Sequence, residues 1–194
     1  MKFKTIIFLL VAFGTSLVQA QNIKNRINFK TGFSRYNSIG KVNNKFEKVP
    51  NISFEINYGI SKLLETGISL GFSNFDVYYI NWADTTYRKG KSLATYYVAN
   101  ANFHILPLFV QAEDFRFDFY ATAKIGGRHL SGKESNVLKN EFIWAGGLGL
   151  SFYLWKKTGF FVESTYGKYN FHEDFVESFT DNINWRYGIT FKFK

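Results

Sequence analysis

Cysteine is absent from the 194 residues, and proline occurs only twice. Without cysteine no disulfide can hold the chain together in an oxidising compartment. Beyond the N-terminal segment there is no apolar run near the ~20 residues that a membrane-spanning helix needs. The scarcity of proline removes a residue that interrupts strands, and no linker or low-complexity segment divides the chain. The sequence therefore predicts one domain.

Aromatic residues are abundant, and phenylalanine, tyrosine and tryptophan together make up 20% of the sequence. These residues, like the β-branched ones, favour strands. The chain is also basic, with a formal net charge of +9. That charge suits an anionic partner such as the phosphates of lipopolysaccharide, although ordinary surface charge is the simpler explanation. Composition thus favours an all-β protein without identifying its partner.

The N-terminus has the pattern of a secretory signal peptide. A short basic region precedes the apolar run from Ile6 to Phe13, and small residues ending at Ala20 offer a cleavage site. The alternative, a membrane anchor, is disfavoured because the run is too short to span a bilayer. We expect residues 1–20 to be removed and residues 21–194 to form the exported domain.

Alternation of apolar and polar residues, the main sequence signal for strands, recurs along the chain. In the clearest stretch, Phe117, Phe119 and Ala121 alternate with Asp118 and Tyr120. The segments that alternate are 25–36, 51–60, 64–72, 94–105, 115–126, 142–154, 160–168 and 183–194. Eight antiparallel strands are therefore predicted.

The lengths of the connections indicate which face of the strands is exposed. A soluble sandwich or lipocalin-like barrel turns its apolar face inward, whereas a membrane barrel turns it to lipid. Outer-membrane barrels also alternate long external loops with short periplasmic turns. The predicted long connections are 37–50, 73–93, 127–141 and 169–182, and the shorter ones are 61–63, 106–114 and 155–159. This alternation favours the membrane barrel.

Aromatic residues fall into two groups that fit the two interfaces of a bilayer. The group expected near the external rim is Tyr78, Tyr79, Trp82, Tyr96, Trp144, Tyr166, Tyr169 and Trp185. The group expected near the internal rim is Trp155, Phe160, Phe191 and Phe193. The last strand is apolar on one face and would be a sticky edge unless it closed against the first strand.

These features together resemble the OmpA/OmpX-like small outer-membrane barrels. Phe115 to Gly127 and Gly147 to Tyr153 are also similar to the outer-membrane β-barrel domain of many short secreted bacterial proteins. The resemblance implies an eight-stranded, antiparallel, up-and-down transmembrane barrel in the bacterial outer membrane. It also implies outer-membrane lipids, lipopolysaccharide and the barrel-assembly machinery as partners. One departure is that Lys194 follows Phe193, which leaves Phe193 as the aromatic residue for that machinery.

If the apolar face meets lipid, the other face lines an interior just wide enough for side chains to fill. The charged residues expected there are Arg26, Lys30, Glu55, Glu65, His104, Arg116, Asp118, Lys124, Glu163, Arg186 and Lys192. Charges in a low dielectric must be paired, so we expect a salt-bridged plug. Glu55 with Lys30 and Glu163 with Arg186 are candidate pairs. A selectivity lining or small pore is the alternative.

One motif bears on catalysis. His129 and Ser131, with Glu141 or Glu134 nearby, loosely resemble the His-x-Ser of the lipid A deacylase barrels, in which a base activates a serine nucleophile. Gly132 stands where that family carries asparagine, and the motif lies in the middle of the chain. A polar start to a loop is the simpler interpretation, because three residues match easily by chance.

Other charged groups suggest binding without chemistry. The run 172–174, His-Glu-Asp, has no second histidine nearby to complete a metal site. We expect no metal, no cofactor and no nucleic acid, since neither a recognition fold nor a phosphate-binding loop is visible. Candidate contacts to lipopolysaccharide phosphates in the first two external loops are Lys41, Lys45, Lys48, Arg88, Lys89 and Lys91.

The leading hypothesis is a non-enzymatic outer-membrane barrel with a structural or surface-interaction role through long external loops. Three alternatives remain open: a small pore, a lipid A-modifying enzyme, and a soluble lipocalin-like carrier in the periplasm.

Overall fold

The computed structural model describes residues 23–38, 51–81, 86–109, 116–131, 140–168 and 181–193, which form one closed barrel. The strands are β1 (Ile27–Ser38), β2 (Asn51–Gly59), β3 (Leu64–Asn81), β4 (Thr86–His104), β5 (Phe117–Ser131), β6 (Asn140–Tyr153), β7 (Thr158–Lys168) and β8 (Asp181–Phe193). A single 3₁₀ turn, Leu106–Leu108, is the helical element in the described ranges. No helix in these ranges is long and apolar enough to cross a membrane.

Each strand pairs antiparallel with its neighbours in sequence, and β8 pairs with β1 to complete the ring. The closing ladder runs from Ile27↔Phe193 to Ser38↔Asn182. Because the sheet closes on itself, the wall has no exposed edge to aggregate, and every backbone group in it can find an internal partner, as lipid requires. The predicted eight-stranded antiparallel up-and-down barrel is confirmed.

The barrel has its apolar side chains outside and its charges inside. Ile68 is 62% exposed on the outer wall, and Phe54 and Leu148 are also exposed, whereas Glu55 is 0% exposed in the interior. A water-soluble protein buries its apolar residues and keeps unpaired charges outside. The soluble lipocalin-like alternative is therefore wrong for this fold, because the residues that would form its core lie on the outer surface.

Two of the predicted long loops are mostly strand. β3 continues to Asn81 and β4 begins at Thr86, so the segment 73–93 is an extended hairpin and not a loop. β5 likewise continues to Ser131 and β6 begins at Asn140, which shortens the predicted loop 127–141. The ends of these strands lack the apolar alternation of the barrel wall, and the sequence pattern therefore ended them too early.

Residues 60–63, 105–109 and 154–157 lie at one end of the barrel, together with residues 23–26; we call this the short-turn end. The first of these turns is held by the Ser61 hydroxyl, which accepts hydrogen bonds from the Leu63 and Leu64 backbone N–H groups at 3.1 and 3.0 Å. The opposite end, where β1, β3, β5 and β7 end, is the long-loop end.

The segment before β1 folds against the short-turn end. Asn25 adopts a left-handed conformation with φ of 61°, which asparagine tolerates better than most residues. Its backbone N–H donates to the Gly59 carbonyl at 2.8 Å, and the Tyr58 hydroxyl donates to its Oδ1 at 3.2 Å. This reversal places Ile23 in a fully buried position, 1% exposed.

Candidate functional site: the charged barrel interior and its two mouths

Glu55 is the centre of the largest ion-pair cluster in the interior. The β1–β2 register sets it beside Lys30, whose Nζ lies 3.5 Å from Glu55 Oε1. Lys124 Nζ lies 3.8 Å from Glu55 Oε2, and Arg186 pairs with the same oxygen. Three cations therefore share one buried carboxylate, which offsets part of the desolvation penalty of burying the group.

Glu163 is the second carboxylate of this cluster. It forms an ion pair with Lys124 and accepts a hydrogen bond from the Tyr120 hydroxyl at 3.3 Å. The ladder places Glu163 directly beside Arg186, yet Arg186 pairs with Glu55. The expected Glu163–Arg186 ion pair is not formed, because Glu55 and Lys124 provide the closer partners.

Aromatic rings fill the interior beside these charges. Lys30 Nζ lies 4.1 Å from the centre of the Tyr120 ring, and the Arg186 guanidinium lies 4.9 Å from the centre of the Phe161 ring. Both distances are within the range of cation–π attraction. Space for Tyr120 comes from Gly149, where an added Cβ would lie 2.2 Å from the Tyr120 ring. Rings and charges thus occupy the cross-section of the barrel together.

A second cluster lies nearer the short-turn end. His104 Nδ1 is 2.7 Å from Asp118 Oδ1, and His104 Nε2 is 3.3 Å from Glu65 Oε2. Lys192 Nζ lies 4.0 Å from Asp118 Oδ2 and 4.0 Å from the centre of the Tyr153 ring. The imidazole therefore bridges two carboxylates, and it ties β3, β4 and β5 together inside the barrel.

Asparagines connect the two clusters. Asn57 Nδ2 donates to Glu55 Oε1 at 2.6 Å, and Asn100 donates to Asn57 Oδ1. Asn102 Nδ2 lies 3.5 Å from both Glu55 Oε1 and Glu65 Oε2. These amides stabilise carboxylate oxygens that would otherwise have fewer hydrogen-bond partners in the interior. The result is a continuous polar network along the lumen.

A cavity lies between the Glu55 cluster and the long-loop end. Its volume is about 50 Å³, enough for a few waters. Its lining includes Ser34, Ser53, Ser69, Tyr96, Asn184 and Arg186. Polar groups line one side, and a small apolar cluster that includes Ala94, Ile143 and Ala145 lies beside Tyr96. Among the described residues, the interior is therefore filled at its middle and leaves a cavity on the long-loop side.

The structure places most of the sequence-selected interior residues inside the barrel. Lys30, Glu55, Glu65, His104, Asp118, Glu163, Arg186 and Lys192 are buried, and Lys124 is nearly so. Two predictions differ: Arg26 is half-buried, and Arg116 is exposed. Both residues precede the first residue of their strands, so the alternation that assigns a face does not reach them.

Arg128 was not selected from the sequence, and it is among the largest fully buried side chains. It faces inward on the part of β5 that the predicted strand left out. Continuing the alternation from Lys124 through Gly126 to Arg128 would have found it. The ladder pairs its position with Glu141.

The motif at His129 does not assemble the predicted catalytic arrangement. His129 Nδ1 lies 3.0 Å from Asn140 Oδ1, and the Ser131 hydroxyl donates to the Leu93 carbonyl at 3.4 Å. The ladder pairs His129 with Asn140 and not with Glu141. His129 and Ser131 are two positions apart on one strand, about 6.8 Å along the chain, which does not bring the hydroxyl to the imidazole.

Several aromatic residues predicted for the two rims lie on the outer wall. Trp144, Tyr166 and Trp185 are exposed toward the long-loop end, and Trp155, Phe160 and Phe193 toward the short-turn end. Tyr96 differs, because it is 7% exposed and faces inward. Phe191 is half-buried against Phe29, with ring centres 6.3 Å apart.

Other sequence predictions fall on residues that the structure does not describe or describes only by backbone. Outside the described ranges are the signal peptide 1–20, the histidine and acidic residues at 172–174, and Lys41, Lys45, Lys48, Trp82, Glu134, Tyr169 and Lys194. The backbone of β3 and β4 carries Tyr78, Tyr79, Arg88, Lys89 and Lys91. In the described residues, no group of three histidine or acidic side chains is arranged to hold a metal.

Comparison with known proteins identifies the fold. Neither protein-family models nor curated protein sequences give a match to this chain. The outer membrane protein OprG from Pseudomonas aeruginosa is similar with a TM-score of 0.61 and 11% identity, over 90% of this chain and 99% of that one. Neisserial surface protein A (NspA) gives 0.54 and 11% identity, over 87% and 96%. The N-terminal β-barrel domain of Pseudomonas aeruginosa OprF gives 0.52 and 14% identity, over 88% and 98%.

The chain therefore has the fold of the small bacterial outer-membrane barrels. It also has the apolar outer wall and charged interior that this fold presents to lipid and to its own lumen.

Proposed function

We propose that this protein is a non-enzymatic barrel of the outer membrane that acts at the cell surface, through the elements at its long-loop end. The observation that carries the proposal is the length of the β3–β4 hairpin. β2 pairs with β3 only as far as Ser73, and β5 pairs with β4 only as far as Leu93. Beyond these points the ladder continues from Phe75↔Ser92 to Asn81↔Thr86.

These seven pairs form a ribbon, residues 75–81 and 86–92, that has no third strand among the described residues. At about 3.4 Å per residue the ribbon is roughly 24 Å long. An isolated two-stranded ribbon is only marginally stable in water. We therefore expect a ribbon of this length to be stabilised by contact with a molecule outside the barrel.

The charge of the ribbon supports lipopolysaccharide phosphates as that contact. Arg88, Lys89 and Lys91 lie on β4, in register with Tyr79, Tyr78 and Asp76 of β3. The sequence between β1 and β2, outside the described residues, contributes three further cations, Lys41, Lys45 and Lys48. Arginine and lysine bind phosphate through charge-assisted hydrogen bonds, and long-loop ends of this fold lie on the lipopolysaccharide side of the membrane.

The filled interior supports a surface role over conduction. Glu55, Lys30 and Tyr120 meet in the middle of the lumen, and an eight-stranded barrel has little room beyond its own side chains. The cavity described above lies on the long-loop side of this cluster. A continuous path would require several of these groups to move apart at once.

The test compares binding of the folded barrel, in neutral detergent, to lipopolysaccharide and to dephosphorylated lipopolysaccharide. Arg88→Gln/Lys89→Gln/Lys91→Gln is expected to weaken binding to the phosphorylated form by on the order of 10- to 100-fold. The matched control, Lys62→Gln/Lys156→Gln/Lys157→Gln, removes equal charge from the short-turn end and should bind as the unmodified protein does. Equal binding of the unmodified barrel to both forms would contradict the proposal.

A further inference from the structure

The exposed charged side chains at the short-turn end, in the part of the chain that the structure describes, are all basic. They are Lys24, Lys62, Arg116, Lys156 and Lys157. The nearest described acidic residues, Glu65 and Asp118, are buried in the lumen against His104. Residues 110–115, which contain Glu113 and Asp114, lie outside the described ranges. The described surface of this end is therefore positive although the barrel interior contains both signs of charge.

Large apolar side chains are exposed in the same turns. Phe109 is 79% exposed and Trp155 is 67% exposed, and Ile60 and Leu108 are also exposed. Ile60 is two positions from Lys62 and Trp155 is next to Lys156, whereas the undescribed segment 110–115 separates Leu108 and Phe109 from Arg116. In water such exposure would be unfavourable, whereas tryptophan and phenylalanine are favoured where headgroups meet acyl chains.

The turns that carry these residues are held by hydrogen bonds. The Trp155 backbone N–H donates to the Thr158 carbonyl at 3.2 Å, and the Lys192 N–H donates to the Lys157 carbonyl at 2.7 Å. Lys62 lies in the turn that the Ser61 hydroxyl holds. The backbone that carries these cations is thus held on the barrel wall, so binding an anion there orders side chains but little additional backbone.

We propose that Lys62, Arg116, Lys156 and Lys157, which we call the basic rim, bind the phosphate headgroups of anionic phospholipids in the periplasmic leaflet. Phe109 and Trp155 enter the same leaflet beside the phosphates. Charge complementarity selects an anion, and the exposed apolar side chains place that anion at a membrane surface. A cell-wall polymer would account for the cations but would leave Phe109 and Trp155 in water.

The proposal does not rest on the ribbon or on lipopolysaccharide. It requires only that the outer wall of the barrel lies in a bilayer, with the short-turn end on the periplasmic side. Failure of the surface-binding test above leaves it intact, and the two triple variants carry opposite expectations in the two experiments.

The experiment is native mass spectrometry of the folded barrel in neutral detergent with added phosphatidylglycerol or phosphatidylcholine of the same acyl chains. We expect the unmodified protein to prefer phosphatidylglycerol by on the order of 10- to 100-fold. Lys62→Gln/Lys156→Gln/Lys157→Gln should bring this preference close to one. Arg88→Gln/Lys89→Gln/Lys91→Gln, with equal loss of charge at the other end, should keep it. An unchanged preference in the rim variant, or an equal loss in both variants, would overturn the proposal.

Two further measurements need no rim variant. Salt at about 1 M shortens the screening length to about 3 Å, and should abolish the preference of the unmodified barrel for phosphatidylglycerol. In vesicles, a variant that retains only Trp155 should be quenched most strongly by lipids brominated near the headgroup. The proposal would be contradicted if binding were insensitive to salt, or if Trp155 were fully accessible to aqueous quenchers. Tight binding of soluble cell-wall fragments without any lipid preference would also contradict it.

Discussion

Arg186 forms its ion pair with Glu55 across the intervening strand β1, although the ladder sets Arg186 directly beside Glu163. The arginine also donates from Nε to the Ser53 hydroxyl at 2.8 Å. Glu55 in turn contacts Lys30 and Lys124. A single carboxylate therefore holds together side chains from four strands, and its removal should affect the whole barrel more than the loss of one contact.

Glu55→Gln should destabilise the barrel by about 3–5 kcal/mol, because it leaves buried cations without their shared anion. The measurement is urea unfolding of the lipid-reconstituted protein, followed by gel mobility without boiling. Arg186→Gln should lower the free energy of unfolding much less in the Glu55→Gln protein than in the unmodified protein, since the two residues are coupled. Additive effects of the two substitutions would show that the pair does not act as one unit.

Gly149→Ala should destabilise the barrel by about 1–3 kcal/mol, the usual effect of overpacking. The new methyl group would lie 2.2 Å from the Tyr120 ring. Gly146→Ala, on the same strand, is the matched control, because the nearest atom to its added Cβ is 3.9 Å away. It should change stability by no more than about 0.5 kcal/mol. Adding Tyr120→Ser should relieve the Gly149→Ala variant; equal instability of both glycine variants would contradict this account.

Detergent-extracted protein should run at a different apparent size before and after boiling, because a closed barrel resists cold detergent. The protein should fractionate with the outer membrane. A protein found soluble in the periplasm, with no shift on boiling, would contradict the assignment of Phe54 and Ile68 to a lipid-facing wall.

His129→Ala and Ser131→Ala should leave the mass profile of lipid A unchanged in cells that produce the protein. The reason is geometric, since His129 contacts Asn140, and Glu141 is in register with Arg128 and not with His129. Deletion of the whole protein should also leave the profile unchanged. A lipid A species that disappears on deletion and in both point variants would restore the enzyme hypothesis.

The unmodified barrel should give no steady conductance steps in planar bilayers. Lys30 and Tyr120 meet with a 4.1 Å contact in the middle of the lumen, and the barrel is too narrow to lead ions around them. A well-folded preparation with reproducible steps would favour the pore alternative, and truncation of Tyr120 to alanine should then raise the conductance.

The barrel was predictable from the sequence wherever one face of a strand meets lipid. Phe117 to Ile125 alternate because every second position lies on the outer wall, and this pattern fixes strand, face and register together. The ribbon was not predictable, since Tyr78 and Lys89 lie beyond that wall and no apolar period marks them. The sequence pattern also failed at strand ends, where it did not assign Arg128 to the interior and wrongly assigned Arg116 to it.

The interior was predictable in composition but not in pairing. Alternation correctly points Glu55, Glu163 and Arg186 inward. Which cation meets which carboxylate depends on side chains that cross the lumen, and neighbours in a ladder need not be partners. The contact of Tyr120 with Gly149 differs, because these two residues are direct partners in the β5–β6 ladder. His104 likewise contacts Glu65 and Asp118 on the two strands that flank β4.

The seam between β1 and β8 limits how fast the barrel can close. Its ladder, from Ile27↔Phe193 to Ser38↔Asn182, joins the first and last strands of the barrel. Contacts between such distant parts of a chain form slowly, because the entropy of closing a long loop is lost before strand pairing stabilises the chain. Until β8 arrives, the unfinished sheet has two open edges and an apolar face without lipid. The protein is therefore most prone to aggregation during its assembly, and anything that delays formation of the seam prolongs that period.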